Sequence, residues 1–220
     1  MIGRLAFIAL LATGPAAHAQ DAESPPATAE QIASARETAD RLIADADAGA
    51  FFVNKTDGAV PTVVHVASGL TCLFSGGPEE RISIFPTGPA GIARGEDVGC
   101  VSRVDELGID LNLYATRYQP LPSEELALRQ AVNAIRQRWP DARPFDGELV
   151  SVSSDGEDAP LQAAYTVTVN NEPMITLALV EHRKGWGYKA RGTGPGAEPM
   201  LISLYTAMAF KMALDAQDAE

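Results

Sequence analysis

The stretch Met174-Ile175-Thr176-Leu177-Ala178-Leu179-Val180 decides the fold, because it is apolar on both of its faces apart from Thr176. Successive side chains of a β-strand point to opposite sides of a sheet. A strand that is apolar on both sides therefore needs cover on both sides. We expect this stretch to be a central strand with other layers packed against each face.

The segments around this strand predict antiparallel pairing. Residues 161–169 and 186–190 are also predicted strands, and the turn residues Asn170-Asn171 and Lys184-Gly185 join them to the central strand. Connections this short can join only antiparallel neighbours.

Apolar residues at helical spacing predict three helices. The first begins at the capping residue Thr28 and ends at Gly49, the second begins at the capping residue Ser123, and the third covers about residues 198–215. Further strands are predicted at residues 51–56, 62–67, 71–74, 82–85, 98–103, 109–116 and 148–153. The order helix–strands–helix–strands–helix indicates an α+β fold, with an antiparallel sheet flanked by helices.

The first 19 residues have the layout of a secretory signal. Arg4 precedes an apolar run of about eight residues, and Ala17 and Ala19 mark a cleavage site. A membrane span needs roughly 20 apolar residues. We expect residues 1–19 to be a cleaved signal peptide, residues 20–27 a flexible leader and residues 28–220 a single α+β domain. No membrane span is expected after cleavage.

Composition narrows the class of protein. A hydrophobic content of 46% and a charged content of 21% are typical of a globular protein. The net charge of −12 disfavours nucleic acid and anionic membranes as partners. Together with the secretory signal, this globular, acidic composition predicts a periplasmic or secreted protein.

Cys72 and Cys100 are the two cysteines of the chain. They form no Cys-x-x-Cys motif, and few histidines accompany them, so a structural disulfide is favoured over a metal or redox pair. Such a bridge would stabilise the fold by about 3–4 kcal/mol on the chain-entropy model.

His65, Ser68 and Asp97 are the residues that suggest catalysis. His65 would act as the base, Ser68 as the nucleophile, and Asp97 would orient the histidine. Against this, His65 and Ser68 are three residues apart at the end of a strand, so their side chains are expected to diverge. Ser68 also lacks a nucleophile-elbow motif, and Ser68-Gly69 is more simply a turn.

Two other patterns give no firm cofactor or metal site. The paired carboxylates Glu96-Asp97 could bind a cation or act in acid–base chemistry, but two adjacent acids in a turn are usually solvated. The acidic loop at residues 155–158 lacks the regular oxygen spacing of a calcium loop. The run Gly192-Thr193-Gly194-Pro195-Gly196-Ala197 matches a phosphate-binding fingerprint, but no strand follows it to complete a βαβ unit. Pro195 also lacks a backbone N–H for a phosphate. No cofactor is expected.

One stretch of this acidic chain is basic and predicts a contact surface. It contains these cations and aromatic residues: Arg183, Lys184, Trp186, Tyr188, Lys189 and Arg191. On two neighbouring strands they would form one cationic, aromatic-edged surface able to hold a carboxylate, a phosphate or a sugar. The alternative is the solvated rim of a hairpin.

A row of methionines marks the last helix. Met200, Leu204, Met208 and Met212 are each four residues apart. Such a row is more often core, but Met also adapts to irregular apolar ligands. We expect core, with an apolar pocket as the alternative.

Two parts of the sequence resemble known protein families. The pattern His65-x-x-Ser68-Gly69-Leu70-x-Cys72, followed by Gly95-x-Asp97-Val98-Gly99-Cys100, resembles uncharacterised exported proteins of alphaproteobacteria. The layout from about residue 161 to the final helix resembles PsbP-like domains, which implies an accessory or binding role. Neither resemblance supplies functional residues.

The sequence therefore predicts a non-enzymatic accessory or binding protein of the bacterial envelope. Its partner would be an envelope protein or a small anionic ligand. The alternatives are a small periplasmic hydrolase that uses His65 with Ser68 or Asp97, and a carrier of apolar ligand beneath the last helix.

Overall fold

The protein is described from a computed structural model that covers residues 26–86, 92–153 and 158–215. The predicted signal peptide and most of the leader lie outside these residues. The helices are α1 (Ala29–Asp45), α2 (Glu124–Arg138) and α3 (Pro199–Asp215), with a 3-10 turn at Asp105–Leu107. The strands are β1 (Phe52–Asn54), β2 (Thr62–His65), β3 (Thr71–Leu73), β4 (Arg81–Ile84), β5 (Asp97–Val104), β6 (Ile109–Thr116), β7 (Arg143–Pro144), β8 (Leu161–Val169), β9 (Glu172–Arg183) and β10 (Trp186–Pro195).

The strands form two antiparallel sheets. The small sheet has the order β1-β2-β3, and the main sheet has the order β4-β5-β6-β10-β9-β8-β7. The predicted α+β class and the element order are confirmed. Strand β9 carries the stretch of residues 174–180 and lies inside the main sheet, between β8 and β10.

Both faces of β9 are buried, as its sequence predicts. Ile175, Leu177 and Leu179 belong to the large core that also contains residues of α1, α3 and the small sheet. On the other face, Ala178 packs in a smaller cluster with Ile135 of α2. The main sheet is therefore the middle layer of the molecule, with α1, α3 and the small sheet on one side and α2 on the other.

The predicted helix starts are confirmed, and one predicted helix end is wrong. Thr28 forms a capping box with Gln31, and the side chain of Ser123 caps α2. Helix α1 ends at Asp45, before the expected Gly49. Asp47 makes the reversal with a φ of 47°, a conformation that a short polar side chain tolerates.

The predicted strand at residues 148–153 is also wrong. This segment has no regular structure, although Leu149 and Val152 pack against the large core. The backbone N–H of Val150 donates to the hydroxyl of Ser203 on α3. The segment is held by α3 and the core instead of pairing in the sheet.

The predicted disulfide is confirmed. Cys72 on β3 is bonded to Cys100 on β5, and both residues are buried. Because β3 belongs to the small sheet and β5 to the main sheet, the bridge fastens the two sheets together. None of the helices in the described residues is long and apolar enough to cross a membrane.

Glycines of β10 allow α3 to approach the main sheet closely. A Cβ atom on Gly192 would lie 1.8 Å from Oγ1 of Thr206, and one on Gly194 would lie 2.3 Å from Cδ1 of Ile202. Thr206 and Ile202 are both fully buried on α3. The glycine run that matches a phosphate fingerprint therefore has a packing role.

We expect Gly192→Ala to lower the free energy of unfolding by about 1–3 kcal/mol, because α3 must move away from the sheet. Gly58→Ala is the matched control, since nothing lies within 4 Å of a Cβ atom there. The control should change stability by no more than about 0.5 kcal/mol. Urea denaturation of both variants measures the difference, and equal stabilities would contradict the close packing.

Candidate functional site

His65 and Ser68 lie in contact, contrary to the expectation that they diverge. Nδ1 of His65 is 2.8 Å from Oγ of Ser68. Strand β2 ends at His65, and the chain turns tightly so that the N–H of Gly69 donates to the carbonyl of His65. The prediction from strand geometry did not include this turn, which brings Ser68 back over the histidine.

The contacts around this pair fix the β2–β3 turn. The hydroxyl of Ser68 also accepts from the N–H of Leu70, and the hydroxyl of Tyr188 donates to the carbonyl of Ser68. The rings of Phe52 and Trp186 pack against His65 at 5.0 and 5.6 Å between centroids. These contacts tie the turn to the core.

Burial separates the His65–Ser68 pair from solvent. His65 is fully buried, and Ser68 is 7% exposed. Burial lowers the pKa of His65 to about 4, and the backbone of Gly95 acts in the opposite direction. The imidazole is therefore neutral at pH 7, and little of the Ser68 side chain is accessible to a substrate.

Asp97 does not join the pair. Its carboxylate accepts a hydrogen bond from Oγ1 of Thr116 at 2.8 Å, across the β5–β6 pair. Nε2 of His65, where an orienting carboxylate would bind, has no hydrogen-bond partner among the described residues. The three residues thus do not form a triad in this structure.

The basic stretch is divided between the two faces of the main sheet. Trp186 and Tyr188 are buried in the large core. Lys189 and Arg191 alternate with them on β10, so they point to the opposite face, the side on which α2 lies. The predicted aromatic edge from Trp186 and Tyr188 is therefore not available to these cations.

Other aromatic residues take that place. The ring of Tyr114, from β6, lies 5.6 Å from the Lys189 ammonium, and the ring of Tyr118 lies 5.9 Å from it. The ring of Trp139, which follows α2, lies 6.0 Å from the Arg191 guanidinium. Sequence reasoning missed these rings because they come from distant segments. The β6–β10 pairing brings Tyr114 to Lys189, and the position of α2 brings Trp139 to Arg191.

Arg183 and Lys184 lie elsewhere, beside a polar cavity of about 460 Å³. Its lining includes Glu124, Glu181 and His182. Arg183 forms an ion pair with Glu181 and a longer one with Asp215, at 3.9 Å. The lining carries both cations and carboxylates, so it does not favour one sign of charge.

Within residues 26–86, 92–153 and 158–215, no group of three or more His, Cys, Asp or Glu side chains could hold a metal ion. Of the acidic loop, residues 155–157 lie outside this range. Glu96 accepts from the N–H of Ala93 and lies 3.9 Å from Arg117.

An apolar groove of about 290 Å³ lies between α3 and the strands. Its floor is made by Ser102, Leu111 and Leu113 of the main sheet, and one wall by Thr71 and Leu73 of β3. The other wall is α3, which contributes these residues: Tyr205, Met208, Ala209, Met212 and Ala213. Burial raises the pKa of the Tyr205 hydroxyl, with Glu80 adding to the effect, so it stays a neutral donor.

The methionine row is exposed, so the expectation that it is core was wrong. Met208 is 48% exposed and Met212 is 54% exposed, and both line the groove. Helical spacing predicts that the four residues share one face of α3. It does not tell which face the sheet covers, and the sheet covers the face of Ile202, Thr206 and Phe210.

Two solved structures resemble this chain distantly. No protein-family model and no curated protein matches the chain. Among solved structures, LpqN, described as involved in cell envelope biogenesis of Mycobacterium tuberculosis, is 12% identical. The match covers 67% of this chain and 86% of that one, with a TM-score of 0.30. CalU16 from Micromonospora echinospora is 10% identical over 64% of this chain and 83% of that one, with a TM-score of 0.25. Likenesses this distant carry no inference about function.

The buried histidine predicts a pH dependence of stability. Between the unperturbed pKa of 6.5 and the folded pKa of about 4, the unfolded state binds a proton that the native state does not. The free energy of unfolding should therefore fall as the pH is lowered through this window, by up to about 3 kcal/mol from His65.

Urea denaturation between pH 4 and 7 measures this loss, and His65→Asn should remove that part of the slope. The difference between the two curves cancels the carboxylates that both proteins share. Nuclear magnetic resonance (NMR) of the His65 ring gives the pKa without a variant. A ring that titrates near pH 6.5 would contradict the burial argument.

Proposed function

We propose that this protein is an exported, non-enzymatic binding protein that carries an apolar ligand in the groove between α3 and the main sheet. The observation that carries the proposal is the groove itself, an apolar cavity of about 290 Å³ whose methionines are half exposed. An apolar cavity with a few polar groups at its margin is the usual form of a small-molecule site.

Export is supported by two independent features. Residues 1–19 have the pattern of a cleaved secretory signal. The Cys72–Cys100 bond is buried between the two sheets, and structural disulfides persist mainly in oxidising compartments. A periplasmic or secreted location accounts for both.

The exposed apolar side of α3 is evidence for a ligand that covers it. Met and Leu residues lie along one side of the helix, each between about one third and one half exposed. They are Met200 50%, Leu201 36%, Leu204 39%, Met208 48% and Met212 54%. A contiguous exposed apolar surface marks an interaction site, whereas apolar residues exposed singly are ordinary. Met in particular adapts its shape to varied apolar ligands.

The size of the groove limits the ligand. Sites for drug-sized molecules have volumes of about 300–1,000 Å³. The groove, at about 290 Å³, lies just below that range, so it suits one acyl chain or one compact ring system better than a whole phospholipid. The hydroxyls of Thr71, Ser102 and Tyr205 at its lining would bind a single polar end group.

The hydrolase alternative has one observation in its favour, the 2.8 Å contact between His65 and Ser68. The burial of both side chains and the separate position of Asp97 weigh against it. The contact is better explained by its role in the β2–β3 turn.

We expect Met208→Glu to weaken binding of a neutral apolar probe, N-phenyl-1-naphthylamine, by at least about tenfold, because a carboxylate at the groove wall would have to be desolvated. Met200→Glu is the matched control. It places the same charge on the same side of α3, but Met200 does not line the groove. Probe fluorescence measures both affinities.

Two outcomes would contradict the carrier proposal. One is equal probe affinity in the two glutamate variants. The other is a protein purified gently from its native host that neither takes up the probe nor yields any apolar molecule to mass spectrometry after organic extraction.

The proposed export predicts the mass of the native protein. We expect the chain to begin at Gln20 and to be two hydrogens lighter than the reduced form, because Cys72 and Cys100 are bonded. Intact mass spectrometry before and after reduction measures both quantities. A product that retains residues 1–19 and has two free thiols would contradict export.

A further inference from the structure

Lys189 and Arg191 extend from the side of the main sheet that faces away from the groove. Helix α2 packs on β8 and β9 on that side. The neighbouring strands β10 and β6 carry half-buried polar side chains there, namely Lys189, Arg191, Asn112 and Tyr114. The pairing of β10 with β6 places Lys189 opposite Tyr114 and Arg191 opposite Asn112.

Tyrosine hydroxyls and aromatic rings hold the two cations in position. Nζ of Lys189 donates to the hydroxyl of Tyr118 at 3.2 Å, and Nη2 of Arg191 donates to the hydroxyl of Tyr114 at 3.5 Å. Tyr114 in turn donates to Oδ1 of Asn112 at 3.4 Å. Cation–π contacts with Tyr114, Tyr118 and Trp139 add to these bonds.

These contacts do not neutralise the charges. In the described part of the chain, no carboxylate lies within 4.0 Å of Lys189 or Arg191. Arg103, on the same side of the sheet, shows the contrast, since it pairs with both Asp105 and Asp110. Hydroxyls and aromatic rings therefore hold Lys189 and Arg191, whereas carboxylates balance the charge of Arg103.

We infer that Lys189 and Arg191 form a second binding site, for a small molecule that bears an oxyanion, carboxylate or phosphate. The two residues are separated by one position along β10, so their side chains leave the same face roughly 7 Å apart and can reach one ligand. Arg191 offers a planar fork that matches two oxygens, and Lys189 offers a point charge. Most of their N–H donors are not used by the tyrosine hydroxyls.

The two tryptophans of the chain provide a direct test. Trp139 lies beside Arg191, whereas Trp186 is buried on the other face of the main sheet. Sodium phosphate and sodium succinate are titrated separately into the ¹⁵N-labelled mature protein at low salt. We expect the indole N–H signal of Trp139 to shift in a saturable way with at least one of them, while that of Trp186 stays in place.

The variant Lys189→Met with Arg191→Met should weaken this binding by at least about tenfold, because it removes the charges and keeps the apolar stems. The matched control is Arg41→Met with Lys55→Met. It removes the same charge from exposed positions on α1 and beside β1, which lie on the other side of the main sheet. The control should bind as the wild type does.

The two anions separate the possible ligand types. Tighter binding of phosphate would assign the site to phosphate esters, and tighter binding of succinate to carboxylates. No saturable shift of Trp139 with either anion would overturn the inference, as would equal weakening in the two double variants. Uptake of the apolar probe should be unchanged in Lys189→Met with Arg191→Met, so failure of this site is distinguishable from failure of the groove.

Discussion

The burial of β9 and β10 in the middle of the main sheet sets the arrangement of the whole molecule. Ile175, Leu177 and Leu179 need one covering layer, and Ala178 needs another. The first layer comes from α1, α3 and the small sheet. The second comes from α2, which packs on β8 and β9. The two candidate sites lie at the margins of these layers, where α3 leaves a groove and where the cover by α2 ends.

Burial distinguishes the polar pairs of this protein more clearly than distance does. His65 and Ser68 are as close as a catalytic pair would be, yet they lie inside the core and fasten a turn. Lys189 and Arg191 are bound by hydroxyls and aromatic rings, remain partly exposed, and have no carboxylate within 4.0 Å in the described part of the chain. A group that is to meet a ligand must stay accessible and incompletely bonded, and the second pair meets that condition.

Much of the fold follows from local sequence rules. The caps at Thr28 and Ser123, the two-residue turns and the apolar stretch of β9 each depend on neighbouring residues, and each was predicted. The sequence predictions were wrong where contacts between distant parts of the chain determine the structure. The exposure of Met208 depends on which side of α3 meets Gly192 and Gly194. The rings beside Lys189 come from β6 and the segment after it, and the ring beside Arg191 comes from the end of α2. No local pattern contains that information.

The two candidate sites are separated by the main sheet itself. Leu113 lines the groove, and the next residue, Tyr114, contacts Arg191 on the other face. Between them lies a hydrogen-bonded backbone that a ligand cannot cross, so one molecule cannot occupy both sites. The disulfide belongs to one side only, because it fastens β3, a wall of the groove, to β5, part of its floor. The disulfide therefore holds a wall of the groove to its floor. The Lys189–Arg191 site is built by the β6–β10 pairing and by Trp139, the residue that follows α2.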